Sequence, residues 1–143
     1  MKARNGFTLV EIMVVVAIIA MLAAIAIPNL IRARITANEA AAIADLRTLV
    51  SAAHTYRTSS NTAGYPADLS DLVTNPPYID SVLGSGHKQG YDFTLSGNSA
   101  SFTATAEPQA INQTGVRRFF VDTSGVIRFN ATGSATAADQ PLA

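Results

Sequence analysis

The sequence predicts an α+β chain: one long N-terminal α-helix whose second half packs on a small antiparallel β-sheet. Three observations predict it. Residues 12 to 27 read IMVVVAIIAMLAAIAI, with no polar side chain. Residues 29 to 57 keep their apolar side chains on one helical face. From Tyr91 onward, short runs alternate apolar and polar between glycine-containing turns. With 143 residues the chain holds one small domain plus an extension. The extension removes so much length that the domain, roughly 80 residues, has a small core of its own. Ten basic and ten acidic side chains balance, so no charge excess argues for nucleic acid. With no Cys there is no disulfide and no thiolate-bound metal.

The N-terminal stretch organises the rest. Lys2 and Arg4 precede Asn5 and Gly6, and GFTLVE leads into the apolar run. With Phe7, Leu9, Val10, Leu30 and Ile31 the run approaches the roughly 20 residues that span a bilayer. Lys2 and Arg4 stay on the cytoplasmic side by the positive-inside bias. One carboxylate, Glu11, stands among apolar residues at the edge of the span, where an acid is costly and marks function. Two other readings stand beside this one. Glu11 sits at the interface, solvated by headgroups. Alternatively, Ala24-Ile25-Ala26 is a small-x-small cut site of a general export signal, which releases a soluble domain beginning at Ile27.

GFTLVE followed by the apolar run closely resembles the prepilin signature of type IV pilins and type II secretion pseudopilins. The likeness covers residues 5 to 56 and is most specific over 6 to 28. It implies a pilin fold, a leader over 1–6, and a cut between Gly6 and Phe7 by a prepilin peptidase and methyltransferase. Phe7 then becomes the N-methylated terminus. It also implies that Glu11 and Phe7 serve filament assembly, and that Pro28 is the proline ending the first apolar stretch. The physical chemistry agrees. Gly6 offers no side chain to obstruct a protease cleft, and the cut removes Lys2 and Arg4. The new α-amino group, with a pKa near 8, is a cation that a neighbour's Glu11 can pair with, since a buried acid is held by a cation. Such a pair fixes register.

The remaining elements follow in order. Residues 7–31 form the membrane and polymerisation half of the helix. Pro28 lacks an amide and clashes with the preceding turn, so a helix kink or local melting is expected there, or a new helix opening at its first turn. The amphipathic half covers 32–57, with Ile31, Ile35, Ala42, Leu46, Leu49, Ala53 and Tyr56 inward and Arg32, Arg34, Asn38, Glu39, Asp45 and Arg47 on other faces. The composite is a helix of about 50 residues, roughly 75 Å long. A loop region over 58–90 contains a short helix at 66–73 with Leu69, Leu72 and Val73 inward. Tyr78, Ile79, Val82 and Leu83 pin the loop to the sheet, and GSGHKQG at 84–90 is a flexible tip. The sheet covers 91–129: strands around Tyr91–Leu95, Phe102–Ala106, Val116–Asp122 and Val126–Phe129 form a meander. Residues 130–143 are a loose tail. These elements make the head, 32–143.

No catalytic constellation appears, so the chain reads as a structural protein and not an enzyme, without a cofactor or metal. His54 and His87 lack a second ligand nearby in sequence and read as solvated surface side chains. Asp68 and Asp71 are spaced as a capping pair. Arg117 and Arg118 alternate on a strand. The triplets at Asn112 and Asn130 match glycosylation acceptors by composition alone. Asp92, Asp122 and Asp139 are too scattered to support the calcium loop of many pseudopilins. The expected function is a subunit of a type IV pilus-like filament. Alternatives are a type II secretion pseudopilin, a membrane-tethered adhesin or binding module, and the soluble exported domain. The resemblance implies these partners: other copies of the chain in a helical filament, the peptidase/methyltransferase, an inner-membrane assembly platform, and membrane lipid before assembly. It places the unassembled subunit in the inner membrane with a periplasmic head, and the assembled one in a surface pilus or periplasmic pseudopilus.

Overall fold

The computed structural model describes residues 6–59, 64–74 and 76–142. Lys2, Arg4, most of the SSNTAG loop and Asn75 lie outside them. The described residues fall into two units that divide between Ala33 and Arg34. The expected α+β pilin fold is present. Helix α1 runs Leu9–Ser59, 51 residues, close to the length the sequence implies. The abundant alanine favours it throughout. Pro28 lies inside α1, whose helical assignment continues across it. Neither the melted turn nor the separate second helix is present in the single subunit. The first unit is predominantly apolar and open: every large apolar side chain from Phe7 to Ile31 is exposed. Among the described residues one helix, Leu9–Ser59, is long and apolar enough to cross a membrane.

The second unit is the head. A 3-10 helix at Leu69–Leu72 is capped by Asp68, which accepts from the Ser70 amide. Helix α2, Ser81–Gly84, is capped in the same way by Asp80. Six strands follow: β1 His87–Lys88, β2 Tyr91–Gly97, β3 Phe102–Pro108, β4 Arg118–Asp122, β5 Arg128–Asn130 and β6 Gln140–Pro141. All pair antiparallel, in sequence order. One row across the sheet reads Phe93, Ala106, Phe119, Phe129; the next reads Leu95, Ala104, Val121. The alanines of β3 leave room between larger neighbours, and Leu46 and Leu49 of α1 fill the same core. Leu69, Leu72, Ile79 and Leu83 close it.

Several expectations need correction. The tip at 84–90 is ordered: α2 ends there, β1 pairs with β2, and the Phe93 amide donates to Gly86 O at 2.7 Å. Val82 does not pin the loop; it points outward, while Ile79 and Leu83 are buried. The tail is folded: β6 pairs with β5, the Leu142 amide donates to Ile127 O at 2.7 Å, and Ala135 is buried. The sheet therefore runs from 87 to 141 and not 91 to 129. The third strand starts at Arg118 because the amides of Val116 and Arg117 are taken by a helix carboxylate, not by a strand.

Candidate functional site

The candidate site is the start of α1 together with its open apolar surface. Gly6 and Phe7 precede the helix. A Cβ built on Gly6 meets nothing within 4 Å, and Phe7 is exposed, so this peptide bond is accessible. Thr8 is the residue before the first helical turn, and Glu11 stands three positions on. The Thr8 amide and the Thr8 hydroxyl both donate to Glu11 Oε2 at 2.7 Å. In return the Glu11 amide donates to Thr8 Oγ1 at 3.2 Å. This is a reciprocal capping box, which satisfies donors that the first turn leaves without partners. Its signature, Thr-x-x-Glu, is present in the sequence at Thr8 to Glu11. The structure thus brings Glu11 to Thr8 of its own chain. Both bonds fall on Oε2; among the described residues none is seen to Oε1.

The first 27 residues match the prokaryotic N-terminal methylation motif. The type IV wide pilus major component PilA4 of Thermus thermophilus is 35% identical over 112 residues, 75% of this chain and 86% of that protein. The chain belongs to the type IV pilin and pseudopilin family. Type II secretion system core protein G of Pectobacterium carotovorum is 40% identical over 76 residues, 51% of this chain and 47% of that protein. Against that relative the chain spans about half the length. The type IV major pilin of Myxococcus xanthus is 49% identical over 49 residues, 34% of this chain and 22% of its own. No solved structure matches.

The pilin head is fastened to α1 by two carboxylates, Glu39 and Asp45, which lie on the core side and not on the polar faces expected of them. Both are buried: Glu39 is 6% exposed and Asp45 9%. Helical spacing explains it, because Glu39 lies seven residues before Leu46 and Asp45 four before Leu49, on the core side. Glu39 Oε1 accepts from the amides of Val116 and Arg117, both at 3.0 Å, and Oε2 from Arg117 Nε at 2.7 Å. Burial pushes the Glu39 carboxyl up, but the Arg117 and Val116 amides and the Arg117 guanidinium outweigh it and hold the group below its ordinary value. Lys88 bridges Asp45 at 2.8 Å and Asp80 at 3.1 Å. The Asp45 bond, against burial, raises the Lys88 ammonium above its usual range.

Elsewhere the polar side chains serve local structure. His54 is exposed, yet its ring stands edge-on to Tyr65 and Phe102. His87 pairs with Asp92 at 2.7 Å on the surface. Asp92 also takes a bond from Gln109, Asp122 from Ser124, and Asp139 from Thr136 and Asn130. Among the described residues no three His, Asp or Glu side chains cluster to hold a metal. Asn130 is tied into its own turn through the amides of Thr132 and Gly133.

Proposed function

We propose that the chain is a prepilin cut between Gly6 and Phe7, methylated at Phe7, and polymerised through α1 as a structural, non-catalytic filament subunit. The observation that carries this reading is the accessible Gly6–Phe7 bond directly before a capped helix whose large apolar side chains are all exposed as far as Ile31. That much open apolar area requires lipid or other helices around it. Lipid, in the inner membrane, serves before assembly, and other copies serve in the filament. Residues 1–6 are the leader, 7–31 the membrane and polymerisation segment, and 32–143 the head. The capping box refines the role of Glu11. Thr8 holds Oε2, which orients the carboxylate and leaves Oε1 to accept from the Phe7 amino group of a neighbour. Register is then set without dismantling the helix cap. Pro28 supplies a point where the helix bends on packing, since its turn lacks one hydrogen bond. The peptidase/methyltransferase and an inner-membrane assembly platform are the partners that such a route requires.

The secretion relatives support a second reading, a pseudopilus subunit with the same processing and the same helix packing. Deleting the gene separates the two: loss of surface filaments marks a pilus, and loss of protein export marks a pseudopilus. Mass spectrometry of the mature terminus tests the shared chemistry. Methylated Phe7 is the expected result, and a terminus at Ile27 overturns both readings in favour of a soluble exported domain.

A further inference from the structure

Hydrolysis of the Gly6–Phe7 bond adds water across it. Attack falls on the Gly6 carbonyl carbon and leaves a carboxyl on Gly6 and an amino group on Phe7. A peptidase therefore needs that carbonyl free. Inside an α-helix it is not, because each carbonyl accepts from the amide four residues on. Were α1 to run back through Phe7, the Gly6 oxygen would accept from the Val10 amide and the Phe7 oxygen from the Glu11 amide. Growth of this kind is favoured beside hydrocarbon, where an unpaired backbone group is costly. Gly6 resists it only as one poor helix former does.

The helix is nevertheless stopped, and Thr8 stops it. Gly6, Phe7 and Thr8 are non-helical, and α1 begins at Leu9. The Thr8 carbonyl accepts the first helical bond, from the Ile12 amide at 3.4 Å, which makes Thr8 the N-cap. Its hydroxyl accepts from the Glu11 amide at 3.2 Å, the donor that growth would turn to the Phe7 carbonyl. Its own amide is held by Glu11 Oε2 at 2.7 Å. Among the described residues neither the Gly6 nor the Phe7 carbonyl accepts a hydrogen bond.

We infer that Thr8 is a positioning residue for the cut: by capping α1 it keeps the Gly6–Phe7 peptide outside the helix, with its carbonyl free for the peptidase. The inference rests on the prepilin reading. It divides the capping box by task. The Thr8 hydroxyl guards the cut by withholding a backbone amide, and the Glu11 side chain serves assembly. Glu11→Ala leaves the bond from that amide to the hydroxyl in place.

The test uses the full chain in detergent micelles with a purified prepilin peptidase, and reads the initial rate of conversion from uncut to mature size. Thr8→Val keeps the side-chain shape and removes the hydroxyl. Its cut should be about fivefold slower, the factor that an N-cap side chain is worth. Thr8→Ser and Thr8→Asn both cap helices well and should be cut within about twofold of wild type. Asn carries no hydroxyl, so it separates capping from direct reading of Thr8 by the peptidase. Thr8→Asn as slow as Thr8→Val assigns Thr8 to that direct reading and overturns the inference. Thr8→Val cut within about twofold of wild type overturns it as well. A second readout needs no enzyme. The carbon-13 shifts of the Gly6 and Phe7 α-carbons in the same micelles should move towards helical values in Thr8→Val and stay in place in Thr8→Asn. Slow cutting of Thr8→Val with unmoved shifts overturns the inference too. Folding of the head is not at stake, because its core begins at Ala42. Wild-type chain left uncut at Gly6–Phe7 is a different failure, which removes the prepilin reading itself.

Discussion

Replacing Glu39 with alanine removes the acceptor of three bonds at 3.0, 3.0 and 2.7 Å. The Val116 and Arg117 amides lose their partner where the loop foot meets α1, and an unsatisfied buried donor costs about 1–3 kcal/mol. The Arg117 side chain is 36% exposed and rehydrates, so the ionic part is screened and adds little. The net loss is about 3 kcal/mol, at the lower end of what breaking a buried pair costs. For a head of this size about 4 °C accompanies each kcal/mol, so the melting midpoint falls by about 12 °C. Glu39→Gln keeps an oxygen for the two amides, but its NH2 cannot accept from Arg117 Nε, so the charge and that one bond are lost and about 1 kcal/mol is expected. Thermal melts of the whole chain in detergent micelles, followed by near-ultraviolet circular dichroism, measure both. The pH dependence follows from the sign of the shift. The folded-state pKa of Glu39 lies below 4.5, so its stabilisation is present above that value and is lost as the pH falls through the lower folded value. The gap between wild type and Glu39→Gln should therefore narrow on acidification. Both variants melting within about 0.5 kcal/mol of wild type, or a gap that widens in acid, would refute the clamp.

Three further predictions concern processing, assembly and autonomy. Gly6→Val should leave uncut protein in the membrane, seen as a heavier band with the leader attached; mature-size protein counts against the assigned cut. Glu11→Ala should be cut and inserted normally yet give few sheared filaments, with helix-start stability lowered by about 1 kcal/mol from loss of the capping box. Wild-type filament yield removes the role given to this acid. A fragment beginning at Arg34 should be soluble and folded, because its core of Leu46, Leu49, Phe93, Phe119 and their neighbours lies within it. A random-coil far-ultraviolet spectrum would show that the head needs the rest of the chain.

How much of this was legible follows from where each signal resides. The helix, its length and its inward face from Ala42 to Ala53 are readable because a 3.6-residue period repeats over many turns; Ile31, set on that face by the same period, is exposed because it precedes the head. The strands β2 to β5 were readable because alternation and turn residues are local. The short strands β1 and β6 were not. His87–Lys88 and Gln140–Pro141 carry no alternation and are strands only because β2 and β5 offer them an edge. Glu39 and Asp45 are not legible as buried, because their polarity argues for a solvent face while their position in the period places them on the core side. Their partners, Arg117 and Lys88, stand 78 and 43 residues away, beyond the reach of any local pattern. The tail read as loose on composition, yet Asn130 and Asp139 tie it through bonds across nine residues.

The order of the sheet carries a consequence for how the head acquires its structure. Each strand pairs with the strand made just before it, so no strand waits for a distant partner. Closing a short loop costs far less than joining remote segments, and chains dominated by near-neighbour pairing fold fast. The sheet can grow hairpin by hairpin from β1 to β6 as the polypeptide emerges. No cystine has to form along the way, so the speed of folding is independent of any oxidant. The late step is the docking of residues 109–117, because its anchors on α1 lie more than seventy positions earlier. Refolding followed by stopped flow should show that step as the one slowed by Glu39→Ala.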